Sequence, residues 1–582
     1  MIELNTILDL QNETGMSSGD LRYVKGYYNT GDGGEGVFKF DPLFPSLLLN
    51  EGIAIKTSTT GAWLREYSGY INILYFGVKR GYGLTGNSIL IQDAIDCANK
   101  FGIRGNSEWP GDLTLYFPDG MYSIDKPIKI ISGTHIKGDT GTTLNAWHEK
   151  LSDVYDYMFE IDNGPVENVI IENLTIDCQG LAPIQRNTGA FHIKAKPDRD
   201  RVGGLWNSTF RKIKILAALK HGIWLEGGND ECADGRLGNQ YLLFEHVWVE
   251  RLKNSKQDVC DGKLRNCLRM EGQSNVNVFI NCQFQIPYVT SDIDTGMDYG
   301  TNICITATSN TPLNNNLGTL FLNCATGGAG STGTQYGFEI INAQNITIQD
   351  GWIEDVDFGI SIKGSTGINI LNNRFANAAG CGGRPYSAVC HLGACIAAEE
   401  SLVNIERNYV TVSSDIESNP YEGDTLLILK KERFIIGIGK NNTLNVRNNS
   451  FDNIILSETQ GVIQYTNIEG VQAINYYPSA VWVEGISTGS KKLVLVESGV
   501  DSYNRIERIN STINCGEMLV IRAEKNDITL YQWDPEDETR GWNLWLSGNS
   551  TVLIPQGCAA TFIKTDGKNN KELCSYQLIS VY

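Results

Sequence analysis

Two short stretches, "HGIWLEGGNDE" (221–231) and "NCLRMEGQSNV" (266–276), each set a glutamate directly before a glycine, two residues after a bulky or charged side chain. Side chains alternate across a strand, so Ile223 and Leu225 point one way and Trp224 and Glu226 the other. In the second stretch Leu268 and Met270 oppose Arg269 and Glu271. By the same rule "AFHIKA" (190–195) turns out His192 and Lys194, and "GFEIIN" (337–342) turns out Glu339 and Ile341. If such strands stack in register, one outward file reads His192, Trp224, Arg269, Cys304, Glu339, Ser361, and its neighbour Lys194, Glu226, Glu271, Thr306, Ile341, Lys363. Glu226 and Glu271 become vertical neighbours about 4.8 Å apart at Cβ.

Two carboxyls so close are unfavourable unless one keeps its proton or cations flank them. Lys194 and Arg269 can supply the cations, His192 a further polar contact, and Trp224 a flat surface for a sugar ring. A carboxyl pair is what glycoside hydrolysis requires, at about 5 to 5.5 Å for retention and roughly 6.5 to 9.5 Å for inversion. Glu226 with Glu271 fits the shorter separation. Glu339, two coils beyond Glu271 and therefore about 10 Å away, is the partner if the reaction inverts. An outward glutamate is otherwise a solvated charge or an ion-pair partner of Lys194 or Arg269. In "PYVTSDIDTGMDYGT" (287–301), Asp292, Asp294 and Asp298 add acids, which we assign to substrate binding. Their spacing lacks the ordered ligand pattern of a calcium loop, so no metal site or cofactor is expected.

The elements that must carry these residues are short strands. Units such as "VIIENLTI" (169–176), "VFINCQF" (278–284), "ITIQDGWI" (346–353), "INILNNRF" (368–375) and "VNIERNYV" (403–410) alternate with the outward-glutamate strands. Ile341 and Lys363 stand 22 residues apart, and inserted loops stretch the repeat elsewhere. Strands of this length cannot bury an apolar face singly but do so by stacking coil on coil, which predicts an all-β fold built on a right-handed parallel β-helix, a solenoid. The asparagines at its turns are expected to stack their amides on neighbouring backbone. "NSILIQDAIDCANKF" (87–101) is an amphipathic helix, capped by Asn87 or Ser88 and burying Ile91, Ile95 and Ala98, that plugs the open end of the solenoid. The expected division is a small amino-terminal β-rich domain (1–70), the β-helix with its helical cap 88–101 (71–455), and a carboxy-terminal antiparallel β-sandwich (456–582) for trimerisation or carbohydrate binding. "GDGGEG" runs into the strand "VFKF" and not into a helix, so it is no phosphate loop.

At 582 residues the chain is too long for one ordinary core. A net charge of −19 repels phosphate backbones and anionic membranes, arguing against nucleic acid and membrane insertion. The amino terminus lacks a secretory pattern, so synthesis in a cytoplasm is expected. The 14 cysteines show no zinc spacing and read as small core hydrophobes, with "CGGRPYSAVCHLGAC" (381–395) as their densest cluster.

The stretch 75–139, with "FGV", the "IQDAIDCA" helix, "LYFPDGMY" and "THIKGD", resembles the start of the pectate-lyase-like β-helix of bacteriophage tailspikes and tail-fibre depolymerases. Upstream, "VKGYYNTGDGGEGVFKFD" with "GAWLRE" is similar to the small domain that often precedes that helix. Many relatives carry an acidic "GDGxTDDT" where this chain has "RGYGLTGNSI". The resemblance implies a homotrimeric tailspike of a phage virion, assembled in the host cytoplasm and docked to a baseplate or another tail protein, that binds and depolymerises a bacterial surface polysaccharide. Endo-acting hydrolysis by paired carboxylates is the leading expectation. A lyase acting by β-elimination on a uronate glycan, and a non-catalytic adhesin, are the alternatives.

Overall fold

The computed structural model describes residues 1–81, 83–101, 113–148, 155–161, 165–178, 188–195, 203–218, 220–228, 238–251, 266–285, 300–307, 316–327, 335–354, 356, 358–376, 394–411, 435–438, 443–447, 449, 453–457, 473–477, 486–489, 493–496, 505–506, 509–511, 518–523, 527–531, 544–545, 551–555, 558–565 and 575–581. The chain forms two compact units, Met1–Pro287 with Thr311–Asn314, and Tyr288–Asn310 with Asn315–Tyr582. Among the described residues no helix is long and apolar enough to cross a membrane.

The first unit opens with a five-stranded sheet. Leu21–Val24 lies between a parallel Ile2–Leu4 and an antiparallel Gly36–Asp41, which continues to Ala62–Arg65 and Ala54–Lys56. Ile7, Leu10, Val24, Phe38, Phe40, Ile55 and Trp63 form its core. The glycine-rich loop before Gly36–Asp41 folds around its own acid, since the Asp32 carboxylate accepts backbone N–H groups from Tyr27, Tyr28, Asn29 and Gly34 at 2.7–3.0 Å. Burial would raise the Asp32 pKa, and these donors together bring it below its ordinary value.

Three ladders of parallel strands follow. One passes through Thr114–Phe117, His135–Gly138, Ile170–Glu172, Thr209–Arg211, Leu243–Glu245 and Val278–Ile280. A second passes through Gly120–Ile124, Thr142–Ala146 and the later halves of the strands Ile170–Asp177 and Thr209–Ala218, then Trp248–Arg251 and Gln283–Gln285. The third runs Ile128–Lys129, Tyr157–Ile161, Gly189–Lys194, Ile223–Glu226, Leu268–Glu271. Inside, like residues stack on like: Phe210, Phe244 and Phe279 are partners in register, with ring centroids 4.8 and 4.7 Å apart. These spacings match the distance between strands, so each ring fills the gap its neighbour leaves.

The asparagines do two jobs, of which amide stacking is one. Asn168, Asn173, Asn207 and Asn281 sit at corners with φ between 48° and 58°, a left-handed conformation that Asn tolerates better than most residues. The strand-like run "VIIENLTI" therefore turns at Asn173 and serves two ladders. Asn239 and Asn277 point inward, where their Oδ1 atoms accept the N–H groups of Leu205 and Leu242 at 3.0 and 3.1 Å.

The helix Asn87–Phe101 buries Ile91, Ala94, Ile95, Cys97 and Ala98 and packs against Thr114–Phe117, Gly120–Ile124 and Ile128–Lys129. Its cap departs from expectation. Asn87 is the first helical residue, with its side chain bonded to the backbone of Lys79, and the exposed amides of Gly86 and Ser88 are taken by Asp125 at 2.8 and 3.1 Å. Ser88 Oγ in turn accepts the N–H groups of Asp125 and Lys126.

The second unit repeats the plan. Its ladders run through Leu320–Leu322, Thr347–Gln349, Ile368–Leu371, Leu402–Glu406 and Thr443–Arg447, and through Ala325–Gly327, Trp352–Glu354, Arg374–Ala376 and Tyr409–Thr411. The third runs from Gly300–Thr306 through Gln335–Ile341, Phe358–Lys363, Ala394–Glu399, Ile435–Ile438, Asn453–Ser457, Ala473–Tyr477 and Leu493–Val496 to Met518–Ala523. Parallel pairing thus continues past residue 456. Antiparallel pairing enters where Met518–Ala523 meets Ala559–Thr565, which also pairs with Ser575–Val581. Asn373, Asn408 and Asn449 form a buried ladder in which each Oδ1 accepts a backbone N–H of the preceding coil, from Gly351, Asn373 and Asn408, at 2.8 Å. Cys97, Cys178, Cys267, Cys282, Cys304 and Cys324 are buried, and Cys558 is half-buried. Residues 381–393 of the cysteine-rich stretch lie outside the described residues.

Candidate active site

Within the first unit the ladder places His192 beside Trp224 and Trp224 beside Arg269, and next to them Lys194 beside Glu226 and Glu226 beside Glu271. The inward Ile223, Leu225, Leu268 and Met270 are at most 1% exposed, whereas Trp224, Glu226, Arg269 and Glu271 are half-buried. Alternation about this ladder therefore delivers both acids to one outer face, on adjacent rungs.

Each acid has its own cation. Glu226 accepts from His192 Nε2 at 2.7 Å and from Lys194 Nζ. Glu271 accepts from Arg269 Nε at 2.6 Å on one oxygen and from Trp224 Nε1 at 3.1 Å on the other. Cations thus flank both carboxyls of the pair. Burial pushes the Glu226 pKa up, but its bonds to His192 and Lys194 outweigh that and hold it below its ordinary value. Glu226 is accordingly a carboxylate at neutral pH, suited to act as nucleophile or base.

Trp224 is more than a bare platform. His192 stacks on it at 4.2 Å between centroids and 9° between planes, and Tyr157 approaches both rings at 5.0 and 6.1 Å. His221, 6% exposed, meets the indole edge-on at 5.3 Å. Its Nδ1 accepts the Asn266 N–H at 3.0 Å, so its ring proton sits on Nε2. The indole is thereby held in the orientation that aims its N–H at Glu271. Tyr157 and Asn266 escaped the sequence reading, because the first lies one rung before the outward file that begins at His192 and the second at a strand entrance.

Glu339 is in the second unit, half-buried, beside Cys304 and Ser361 in register and accepting from Thr301 Oγ1 at 3.2 Å. Ile341 and Lys363 share the adjacent file, and Lys363 pairs with Glu399 at 3.1 Å. Asp292, Asp294 and Asp298 lie outside the described residues.

A second charged cluster went unread in the sequence. Lys137, Glu172, Arg211 and Glu245 alternate in sign along one file of the first unit and line a cleft of about 640 Å³. Glu172 accepts from Arg211 Nε and lies 3.4 Å from His135 Nε2 and 3.8 Å from Lys137 Nζ. Burial would raise the pKa of Glu172, and its bonds to Arg211 and His135 lower it overall. Alternating opposite charges on facing rungs stabilise the sheet itself, and we read this file as structural.

Residues 70–232 match a family described as rhamnogalacturonase A/epimerase, pectate lyase-like. No curated protein matches the chain in sequence. Among solved structures, the gp42 tailspike of Acinetobacter phage vb_AbaP_AS12 is similar over 100% of this chain and 93% of its own, at 13% identity and a TM-score of 0.51. The enzymatically active domain of tailspike protein 2 from bacteriophage CBA120 is 13% identical with a TM-score of 0.44 over 76% of this chain, which spans 57% of that domain. Tailspike gp49 of Acinetobacter baumannii bacteriophage Fri1, described as a capsular polysaccharide depolymerase, is 13% identical with a TM-score of 0.38, covering 76% of this chain and 75% of its own. Parallel ladders within each unit, a pectate-lyase-like segment at 70–232 and a likeness along the whole chain to the AS12 protein together identify the fold as a parallel β-helix, like that of the AS12 tailspike.

Proposed function

We propose that the chain is an endo-acting polysaccharide depolymerase that hydrolyses glycosidic bonds of a bacterial capsule or lipopolysaccharide. The observation that carries this reading is the register of Glu226 against Glu271 on one outer face. Adjacent rungs lie about 4.8 Å apart, close to the separation of about 5 to 5.5 Å that retaining glycosidases use. In this reading Glu226, kept ionised by His192 and Lys194, attacks the anomeric carbon, while Glu271 takes up a proton from solvent as substrate displaces Arg269, passes it to the leaving oxygen and later activates water. Arg269 and Trp224 orient Glu271 through its two oxygens; the Arg269 contact gives way to the glycosidic oxygen when substrate binds, and the Trp224 bond is kept. Asp292, Asp294 and Asp298 bind substrate.

The pectate-lyase-like match and the tailspike fold support a glycan as substrate, and we place the chain as a homotrimeric tailspike of a virion that engages host polysaccharide. The His192–Glu226 bond of 2.7 Å favours one second reading: a carboxylate-backed histidine is a base able to abstract the proton beside a uronate carboxylate. The deciding experiment incubates the chain with purified capsular and lipopolysaccharide glycans and measures products by mass. Saturated oligosaccharides carrying one added water support hydrolysis, unsaturated ends absorbing in the ultraviolet support elimination, and intact chains refute both.

A further inference from the structure

The second unit exposes aromatic rings where its fold asks for none. Along the ladder of Ala325–Gly327, Trp352–Glu354, Arg374–Ala376 and Tyr409–Thr411, one outward file reads Ala325, Trp352, Arg374, Tyr409, and the file beside it Gly327, Glu354, Ala376, Thr411. The central residues Thr326, Ile353 and Phe375 are buried, so the core is complete without the outer file. Trp352 is nevertheless 38% exposed and Tyr409 41%. The Arg374 guanidinium stands between them, 4.1 Å from the Trp352 ring centroid and 5.8 Å from that of Tyr409. Trp352 Nε1 donates to Glu354 Oε2 at 2.7 Å. The indole is thus fixed at its edge by Glu354 and on one face by Arg374, while the preceding rung offers only Ala325 and Gly327, which are too short to cover the other face.

We infer that this strip is a second, non-catalytic polysaccharide-binding surface, on strands other than those of the carboxylate pair, that takes pyranose rings lying along successive rungs. The C–H face of a sugar ring packs on an immobilised aromatic plane, and the short Ala325 and Gly327 beside the open face of Trp352 leave room for it. Arg374 and Glu354 provide a donor and an acceptor for hydroxyls. Each rung advances by about 4.8 Å, close to the length of one hexose, so Trp352 and Tyr409, two rungs apart, address alternate residues of one chain. A second copy of this protein is the rival occupant. Trp, Tyr and Arg are enriched in protein interfaces, but Glu354, bonded to the indole in the middle of the strip, argues against a second copy, because interface cores are depleted in glutamate. The inference rests on the proposed function only in taking a polysaccharide as ligand.

The test is affinity electrophoresis of the full chain carrying Glu271→Gln through native gels, each cast with one long-chain capsular polysaccharide from a panel of bacteria. At least one polysaccharide should retard the chain, and adding Trp352→Ala with Tyr409→Ala should weaken that retardation at least tenfold. Trp352→Phe should recover most of it, and turnover of short oligosaccharides by the chain with Glu271 intact should not change. Unaltered retardation in the double variant, a change in its molar mass by light scattering, or no retardation by any polysaccharide overturns the inference. A glycan that is held through the strip but never shortened defeats the depolymerase reading alone. One that is shortened and held equally well without the two aromatics defeats the strip alone.

Discussion

Trp224 and Glu271, on adjacent rungs, are joined by a hydrogen bond of 3.1 Å from the indole N–H to a carboxylate oxygen. Trp224→Phe keeps the ring that stacks on His192 and removes this donor. Losing a hydrogen bond to a charged group costs about 1.5–3 kcal/mol, which is roughly a 10- to 100-fold loss of turnover. Release of reducing ends should fall by that factor with KM little changed. A rise in KM alone would return Trp224 to the role of sugar platform.

Glu226→Gln and Glu271→Gln should each lower kcat by about 10²–10⁴-fold, with circular dichroism unaltered. Glu339→Gln should leave kcat within about threefold of the parent, far short of what losing an acid–base group removes. The three rates, measured on one polysaccharide, test whether Glu226 and Glu271 carry the reaction.

The acid limb of the pH profile belongs to Glu226 in this reading. Its pKa is depressed in the folded chain, so the stability it contributes is present above the ordinary carboxylate pKa of about 4.3 and is lost as pH falls through the lower folded value. Lys194→Met or His192→Ala leaves burial with less opposition, and the acid limb of kcat/KM should move to higher pH. A profile that stays in place in both variants would remove Glu226 from the rate-determining ionisations.

Asn408→Ala strips the backbone amide of Asn373 of its acceptor in a buried site. An unsatisfied buried group costs about 1–3 kcal/mol. Because coils in a solenoid contact mainly their neighbours, the loss should be local. Hydrogen exchange at Asn373 should accelerate while that at Phe244 in the first unit does not.

Asp125→Ala frees the Gly86 and Ser88 amides and should destabilise the helix Asn87–Phe101 by about 0.5–2 kcal/mol. Ser88→Ala removes the reciprocal bonds, so thermal unfolding of the double variant should show less than the sum of the single losses.

Strand alternation and register were legible because their signals are local and repeated. The glycine after Glu226 and after Glu271 marks where each strand ends, and aligning those ends gives the pairing found. The helix face of Ile91, Ile95 and Ala98 was legible for the same reason. Asp125 as its cap was not, since 37 residues separate it from Ser88 and a composition centred on the helix offers Asn87 first. Nor does a sequence tell which outward neighbours touch: His192 stacking on Trp224, or Arg211 reaching Glu172, depends on rotamers chosen after the coils have met. The expected change of architecture at 456 rested on the fading of the asparagine pattern, yet parallel pairing runs on beyond it to Met518–Ala523 and recurs between Leu544–Trp545 and Ser575–Val581.

The corners at Asn168, Asn173, Asn207 and Asn281 turn the chain through the left-handed backbone of the asparagine itself. Inheritance can therefore rewrite the outer surface position by position while the interior is conserved, so that what the molecule recognises and how it holds together vary on alternate letters of the same short words.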